Sequence, residues 1–141
     1  MNRVIALDLG EVRTGVAISD DLRLTAQPAG YWDRKGYKDE LAGIRKLLEE
    51  YEIDTIVLGR PLHMNGSVGE RALHAESIGK KLKKDLPGMT IVFWDERLTT
   101  VGAESLLKEA KVSRKKRKKV VDQMAAQLIL SGWLDRQQSP F

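Results

Sequence analysis

VIALDLGEVRTGVAISD, residues 4–20, decides how the chain begins to fold. Two apolar, β-branched runs, Val4 to Leu9 and Gly15 to Ser19, flank Gly10-Glu11-Val12-Arg13-Thr14, and that pattern predicts a β-hairpin. Inside the first run, Asp8 falls on the same face as Val4 and Ala6. An uncompensated buried carboxylate is costly, so Asp8 either accepts backbone N–H bonds in the turn or ligates a metal ion.

Outward from the hairpin, a third, weaker strand is expected near Leu24 to Ala29, with Gly30, Asp33 and Gly36 marking a loop. Leu41, Ile44, Leu47, Leu48 and Tyr51 recur at helical spacing and predict a helix over Tyr37 to Tyr51. Asp54 to Gly59 reads as a strand covered on both faces. After a loop at Gly59, Pro61, Asn65 and Gly66, Ser67 and Glu70 have capping-box spacing, which predicts a helix from Val68 to Leu86 that Pro87-Gly88 ends. Thr90 to Trp94 is a further buried strand. Thr99 or Thr100 can cap a helix through Ala110, and the last helix spans Val120 to Leu134. Strands alternating with helices imply parallel pairing through right-handed crossovers, and the hairpin implies an antiparallel edge. The expectation is a mixed three-layer α/β sheet.

With 141 residues, 42% hydrophobic and 31% charged, the chain fits one domain, residues 1–141, around one core. Its apolar runs stop far short of the roughly 20 residues of a membrane span, and Asp8 interrupts any signal-peptide pattern, so a cytoplasmic protein without a membrane partner is expected. Zero Cys and two His, His63 and His74, exclude thiolate sites and a zinc site built from His alone. Seven of the 24 Lys and Arg residues lie between Lys111 and Lys119, leaving 17 basic against 20 acidic residues elsewhere. A polyanion would meet that stretch first, and it is expected to be a loop or a frayed helix end.

Asp95 and Glu96 follow the strand ending at Trp94, at the edge where open α/β sheets place ligands, and they point to opposite faces. Spacing does not choose between them. Asp122 is expected in the first turn of the last helix, where the macrodipole alone could explain it, but its neighbours Ala125, Ala126 and Ile129 are small or apolar and would bury the charge. Carboxylates from three distant segments make an oxygen-ligand site for Mg²⁺ or Mn²⁺ plausible. Two such ions about 4 Å apart suit phosphodiester hydrolysis. The Asp8-Leu9-Gly10 run with Gly15 also fits an actin-like or sugar-kinase phosphate loop, but those proteins need a second lobe for which the chain has no room.

Four ordered motifs carry a resemblance over essentially the whole chain. They are Leu7-Asp8-Leu9-Gly10 with Arg13, Gly15-Val16-Ala17 and Ser19-Asp20; Gly59-Arg60-Pro61 with Asn65-Gly66-Ser67; Asp95-Glu96-Arg97-Leu98-Thr99-Thr100; and Asp122 through Leu130. Together they resemble the YqgF/RuvX family. The resemblance implies a ribonuclease H-like fold, a mixed five-stranded sheet flanked by helices, in a bacterial cytoplasmic nuclease that matures the 5′ end of pre-16S ribosomal RNA. Members are also described as Holliday junction resolvases. It further implies that Asp8, Glu96 and Asp122 are the catalytic residues and the ligands of Mg²⁺ or Mn²⁺, and it thereby selects Glu96 over Asp95. Arg13 and Asn65 fall on motif positions near that site, as does Arg97. With Arg114, Lys115, Lys116, Arg117, Lys118 and Lys119 they are the expected nucleic-acid contacts. Val12 departs from the pattern, since many relatives carry a basic residue there.

Three functions compete. The first is a metal-dependent endonuclease acting on structured RNA, as pre-rRNA or a ribosomal precursor particle. A resolvase of branched DNA would use the same site but would need a homodimer. A non-catalytic nucleic-acid-binding protein would lack an acidic ligand, and none is missing.

Overall fold

β1 (Arg3–Leu9) and β2 (Arg13–Ser19) form the expected antiparallel hairpin, with Ile5 opposite Ile18, Leu7 opposite Val16 and Asp8 opposite Gly15. The computed structural model describes residues 2–63, 65–95 and 114–138, with residues 114–123 described as backbone only. β3 (Ala26–Asp33) extends the hairpin antiparallel to β2. α1 (Tyr37–Glu50) then leads to β4 (Ile53–Arg60), and α2 (Glu70–Asp85) leads to β5 (Thr90–Asp95). β4 lies parallel to both β1 and β5, so the sheet order is β3-β2-β1-β4-β5. α3 (Arg114–Gln138) closes the chain.

Alternation along the strands separates two cores. Ile5, Leu7, Leu9, Val16, Ile56 and Leu58 pack on one face with Ile44 of α1 and Ile78 and Leu82 of α2. Val4, Ala6, Ala17 and Val57 pack on the other with Ala126, Ile129, Leu130 and Leu134 of α3. Helices therefore cover both faces, and this three-layer arrangement makes a near-continuous apolar run of β4, as the sequence expectation required.

Several boundaries differ from expectation for physical reasons. β3 starts two residues later than the predicted Leu24 and continues through Gly30 to Asp33 instead of breaking into a loop. Between Gly15↔Tyr31 and Ala17↔Pro28 it carries one extra residue, a bulge that Gly30 accommodates at φ 97°, and Pro28 is tolerated because β3 is an edge. No capping box forms at Ser67 and Glu70. Gly69 is the N-cap, Glu70 is already helical, and the Ser67 N–H instead bonds Asn65 Oδ1 at 2.9 Å. The basic stretch, expected as a loop or a frayed helix end, is helical from Arg114 onward, so the last helix begins six residues before Val120 and runs four past Leu134. Lys and Arg are good helix formers, and their charge does not prevent this. The helix expected between Thr99 and Ala110 lies outside the described residues, as does the start of the basic stretch at Lys111.

Candidate active site at the carboxyl edge of the sheet

Asp8 sits one residue from the end of β1 and is only 5% exposed. Its alternation partners Val4 and Ala6 belong to the α3-facing core, so Asp8 stands on that side, opposite a glycine that contributes no side chain. The turn is satisfied by main chain. Gly10 N–H donates to the Asp8 backbone carbonyl at 3.0 Å and to the Arg13 carbonyl at 2.9 Å. Among the described residues no donor reaches the Asp8 carboxylate, so the turn-capping explanation of this residue finds no support there.

Arg13 is the first residue of β2 rather than part of the joining turn; it is half-buried and lies two positions before Gly15, on the Asp8 face. Farther along the same edge Gly59 pairs with Trp94, whose ring packs with the α3-facing core. Asp95 is the next residue of β5, opposite Arg60, and alternation places it on the α2 side, away from Asp8. Glu96 and Arg97 lie outside the described residues.

α3 crosses the sheet from the opposite direction. Gln138 Nε2 donates to Arg23 O in the turn after β2, beside the start of β1, and Gln127 Nε2 donates to Ala26 O. The helix therefore enters over the end of the sheet that carries Asp8, and the backbone of residue 122, one turn before the buried Ala125 and Ala126, lies toward that end. Asp122 is the ninth residue of the helix and not in its first turn as expected, which removes the macrodipole explanation, since that effect fades within a turn. The backbone of Arg114, Lys115, Lys116, Arg117, Lys118 and Lys119 forms the helix's first six positions. Asn65 is exposed in the loop after β4, at the same sheet edge. Its Oδ1 is engaged by the Ser67 N–H, an ordinary side-chain turn that leaves its amide N–H₂ available.

Sequence reasoning passed over a second set of residues on the α1/α2 side of the same hairpin. Glu40 is 1% exposed. Its Oε1 accepts from Thr14 Oγ1 at 2.6 Å and its Oε2 accepts from Trp32 Nε1 at 3.0 Å. Burial pushes the Glu40 carboxyl above the ordinary glutamate range, with those two hydrogen bonds and Arg34 opposing the rise. The missed signal was spacing: Glu40 stands four residues before Ile44 and seven before Leu47, on the buried stripe. Arg34 and Arg71 bond the carbonyls of Gly10 and Leu9, and no periodicity marks either residue. His74 follows one turn after Arg71. Burial lowers its imidazole below the usual range, and Arg34 and Lys81 lower it further.

Asp8 places one buried carboxylate near the carboxyl edge of the sheet, and no cluster of three or more His, Cys, Asp or Glu that could hold a metal ion occurs among the described residues. No helix there is long and apolar enough to cross a membrane.

The profile of the RuvX family, described as Holliday junction resolvase, matches residues 2–136. A protein of Desulfitobacterium hafniense named "Putative pre-16S rRNA nuclease" is 47% identical over 133 residues, covering 94% of this chain and 92% of its own. One of the same name from Myxococcus xanthus is 46% identical over 138 residues, covering 98% and 91%. Among solved structures, T. thermophilus RuvC in complex with a Holliday junction substrate superposes with a TM-score of 0.55 at 10% identity, over 98% of this chain and 97% of that one. At that identity the likeness speaks for the fold, which is ribonuclease H-like. A full-length profile match and relatives close to half identical over nearly their whole length establish that this chain belongs to the RuvX family.

Proposed function

We propose that this protein is a metal-dependent endonuclease that processes the 5′ end of pre-16S ribosomal RNA in the bacterial cytoplasm, with Asp8, Glu96 and Asp122 as its acidic site. The observation that carries the reading is the Asp8 carboxylate, taken out of water with no donor among the described residues and faced by a glycine. Such a group is stable where a cation compensates it, and an all-oxygen donor set fits Mg²⁺ or Mn²⁺. Bound there, a divalent ion supplies Lewis acidity toward the phosphodiester and lowers the pKa of water.

The chain's own contribution is placement. β1 holds Asp8 rigidly at the sheet edge, Gly15 leaves room beside it, and the apolar α3-facing core excludes water from behind. Arg13, on the same face, would meet a phosphate, and Asn65 would offer it an amide at the same edge. Arg97 and the basic start of α3, Arg114 to Lys119, complete the proposed contact to the strand.

The description of the family profile favours a second reading, resolution of four-way DNA junctions by a homodimer with one site per strand. Both readings are tested by one experiment, cleavage of a precursor ribosomal RNA and a four-way junction side by side, with Mn²⁺ and with chelator. RNA cut at the 5′ boundary in Mn²⁺ alone is the expected result. Cutting of the junction only would replace the first reading with the second.

A further inference from the structure

Two arginines from distant parts of the chain converge on the turn that follows Asp8. Arg34, directly after β3, donates from its guanidinium to Gly10 O, and its backbone N–H donates to Val12 O at 2.8 Å. Arg71, in the first turn of α2, donates from Nη2 to Leu9 O at 3.3 Å. A guanidinium has five N–H donors, and one bond to a neutral carbonyl leaves most of them, and all of the charge, uncommitted. The ion pairs Arg23–Asp54 and Arg60–Glu76 involve neither arginine, and neither has an acidic ion-pair partner among the described residues. Glu40 is near enough to feel Arg34, but Thr14 and Trp32 already occupy its oxygens. Burial lowers the His74 imidazole, and Arg34 is near enough to lower it further.

We propose that Arg34 and Arg71 form a phosphate clamp on the α2 side of the Asp8 turn, gripping phosphodiester groups of the RNA that flank the one cut. The identity of the strand as RNA rests on the nuclease reading above. A planar guanidinium suits phosphate because two of its N–H groups can meet two phosphate oxygens at once. The carbonyl bonds hold both side chains in place beforehand, so less rotamer freedom is lost on binding. Asp8 faces α3 while Arg71 reaches the end of β1 from α2, so the bound strand passes over the lip of the sheet at Gly10.

The test is binding of a fluorescent single-stranded RNA of about 20 nucleotides, in chelator so that cutting does not intervene, between about 50 and 200 mM salt. Each arginine that neutralises a phosphate contributes about 0.7 to the log–log salt slope. Arg34→Gln and Arg71→Gln should each flatten the slope by about that amount and the double variant by about 1.4, whereas Arg45→Gln on α1 should not change it. Lysine at both positions should restore the slope, because the charge returns. An unchanged slope in a double variant that melts like the wild type overturns the clamp. A second measurement needs no variant: phenylglyoxal labelling of the native chain, mapped by mass spectrometry with and without the RNA. Protection of Arg34 and Arg71 while Arg45 and Arg136 remain reactive supports the clamp, and equal labelling overturns it. Both readouts are of binding, so a chain that shows them yet cuts neither RNA nor DNA would refute the nuclease reading and leave the clamp intact.

Discussion

Asp8 and Glu40 are two carboxylates withdrawn from water on opposite faces of one hairpin, and the fold treats them in opposite ways. Glu40 is enclosed by large neighbours and both its oxygens accept hydrogen bonds, from Thr14 of β2 and Trp32 of β3, so it ties α1 to two strands. Asp8 lies opposite Gly15, on the strand face it shares with Ala6 and Ala17, and no described donor reaches its carboxylate. A satisfied buried acid stabilises the fold that satisfies it, whereas an acid left open at a sheet edge is held ready for something that arrives from outside. The contrast separates a carboxylate tied into the fold, Glu40, from one that the proposed function puts to use, Asp8.

The contrast breaks most visibly in cleavage rate. Asp8→Asn keeps the shape and removes the charge, so single-turnover cleavage should fall about 10³-fold or more while RNA affinity and melting temperature stay near wild type. Asp122→Asn should behave in the same way, and Asp95→Asn, on the α2 side of β5, should cut at close to the wild-type rate. An Asp8→Asn protein that still cuts, or an Asp95→Asn protein that does not, would dissolve the assignment.

Next in size is the stability of the Glu40 network. Glu40→Ala leaves the Thr14 hydroxyl and Trp32 indole without their acceptor and should cost about 3 kcal/mol in urea unfolding, with the remaining folded protein still cutting. Glu40→Gln should cost much less, because its amide oxygen can accept from Trp32 while the Thr14 hydroxyl turns to accept from its N–H₂. Should the alanine variant melt like the wild type, Glu40 would not be the tie proposed here.

Metal should separate the pair again. Mn²⁺ at about ten times its dissociation constant stabilises a protein that binds it only when folded by about 1.4 kcal/mol, a rise of about 4 °C in melting temperature for a chain of this size. Glu40→Gln should keep that rise, and Asp8→Asn should lose most of it. Identical thermal scans of the wild type in chelator and in Mn²⁺ would remove the metal site.

The smallest effect is in pH. Burial raises the folded-state pKa of Glu40, so between the unfolded glutamate value near 4.3 and that raised value the folded chain binds more protons than the unfolded one. The stability of the wild type relative to Glu40→Gln is therefore greatest below about pH 4.3, declines as pH rises through the folded-state value, and is level above it. Urea unfolding of the two proteins from pH 4 to pH 7 reads this directly, and a difference that grows with pH would reverse the sign of the argument.

The hairpin and Asp8 were legible because period-two alternation is short-range and a charge within it stands out. Glu40 obeys a rule just as regular, yet it sits among Lys38, Asp39 and Arg45 on a surface helix, where one more charge looks solvated until the stripe through Ile44 is followed. The extent of β3 was hidden for a different reason. Pro28 and Gly30 disfavour a strand locally, and pairing with β2 overrides them at an edge that tolerates a bulge. Arg34 and Arg71 were illegible in principle, because their meeting at Leu9 and Gly10 is made by tertiary structure across 37 residues of sequence. The last helix starts earlier than expected because a run of like charges suggests a loop or a frayed helix end, although Lys and Arg favour helix when a buried segment downstream anchors them.

One close approach gives the site a voice. A Cβ on Gly132 of α3 would lie 2.7 Å from the Trp94 ring, so the indole of the residue before Asp95 packs directly on the last helix. Indole emission responds to the polarity and charge around the ring, and this ring stands between the last strand and the helix on which Asp122 is carried. The difference in emission between the native chain and Trp94→Phe is thus an intrinsic optical record of that contact. Followed in a stopped-flow mixer, it would time the arrival of metal and of RNA separately, without a dye and without waiting for a bond to break.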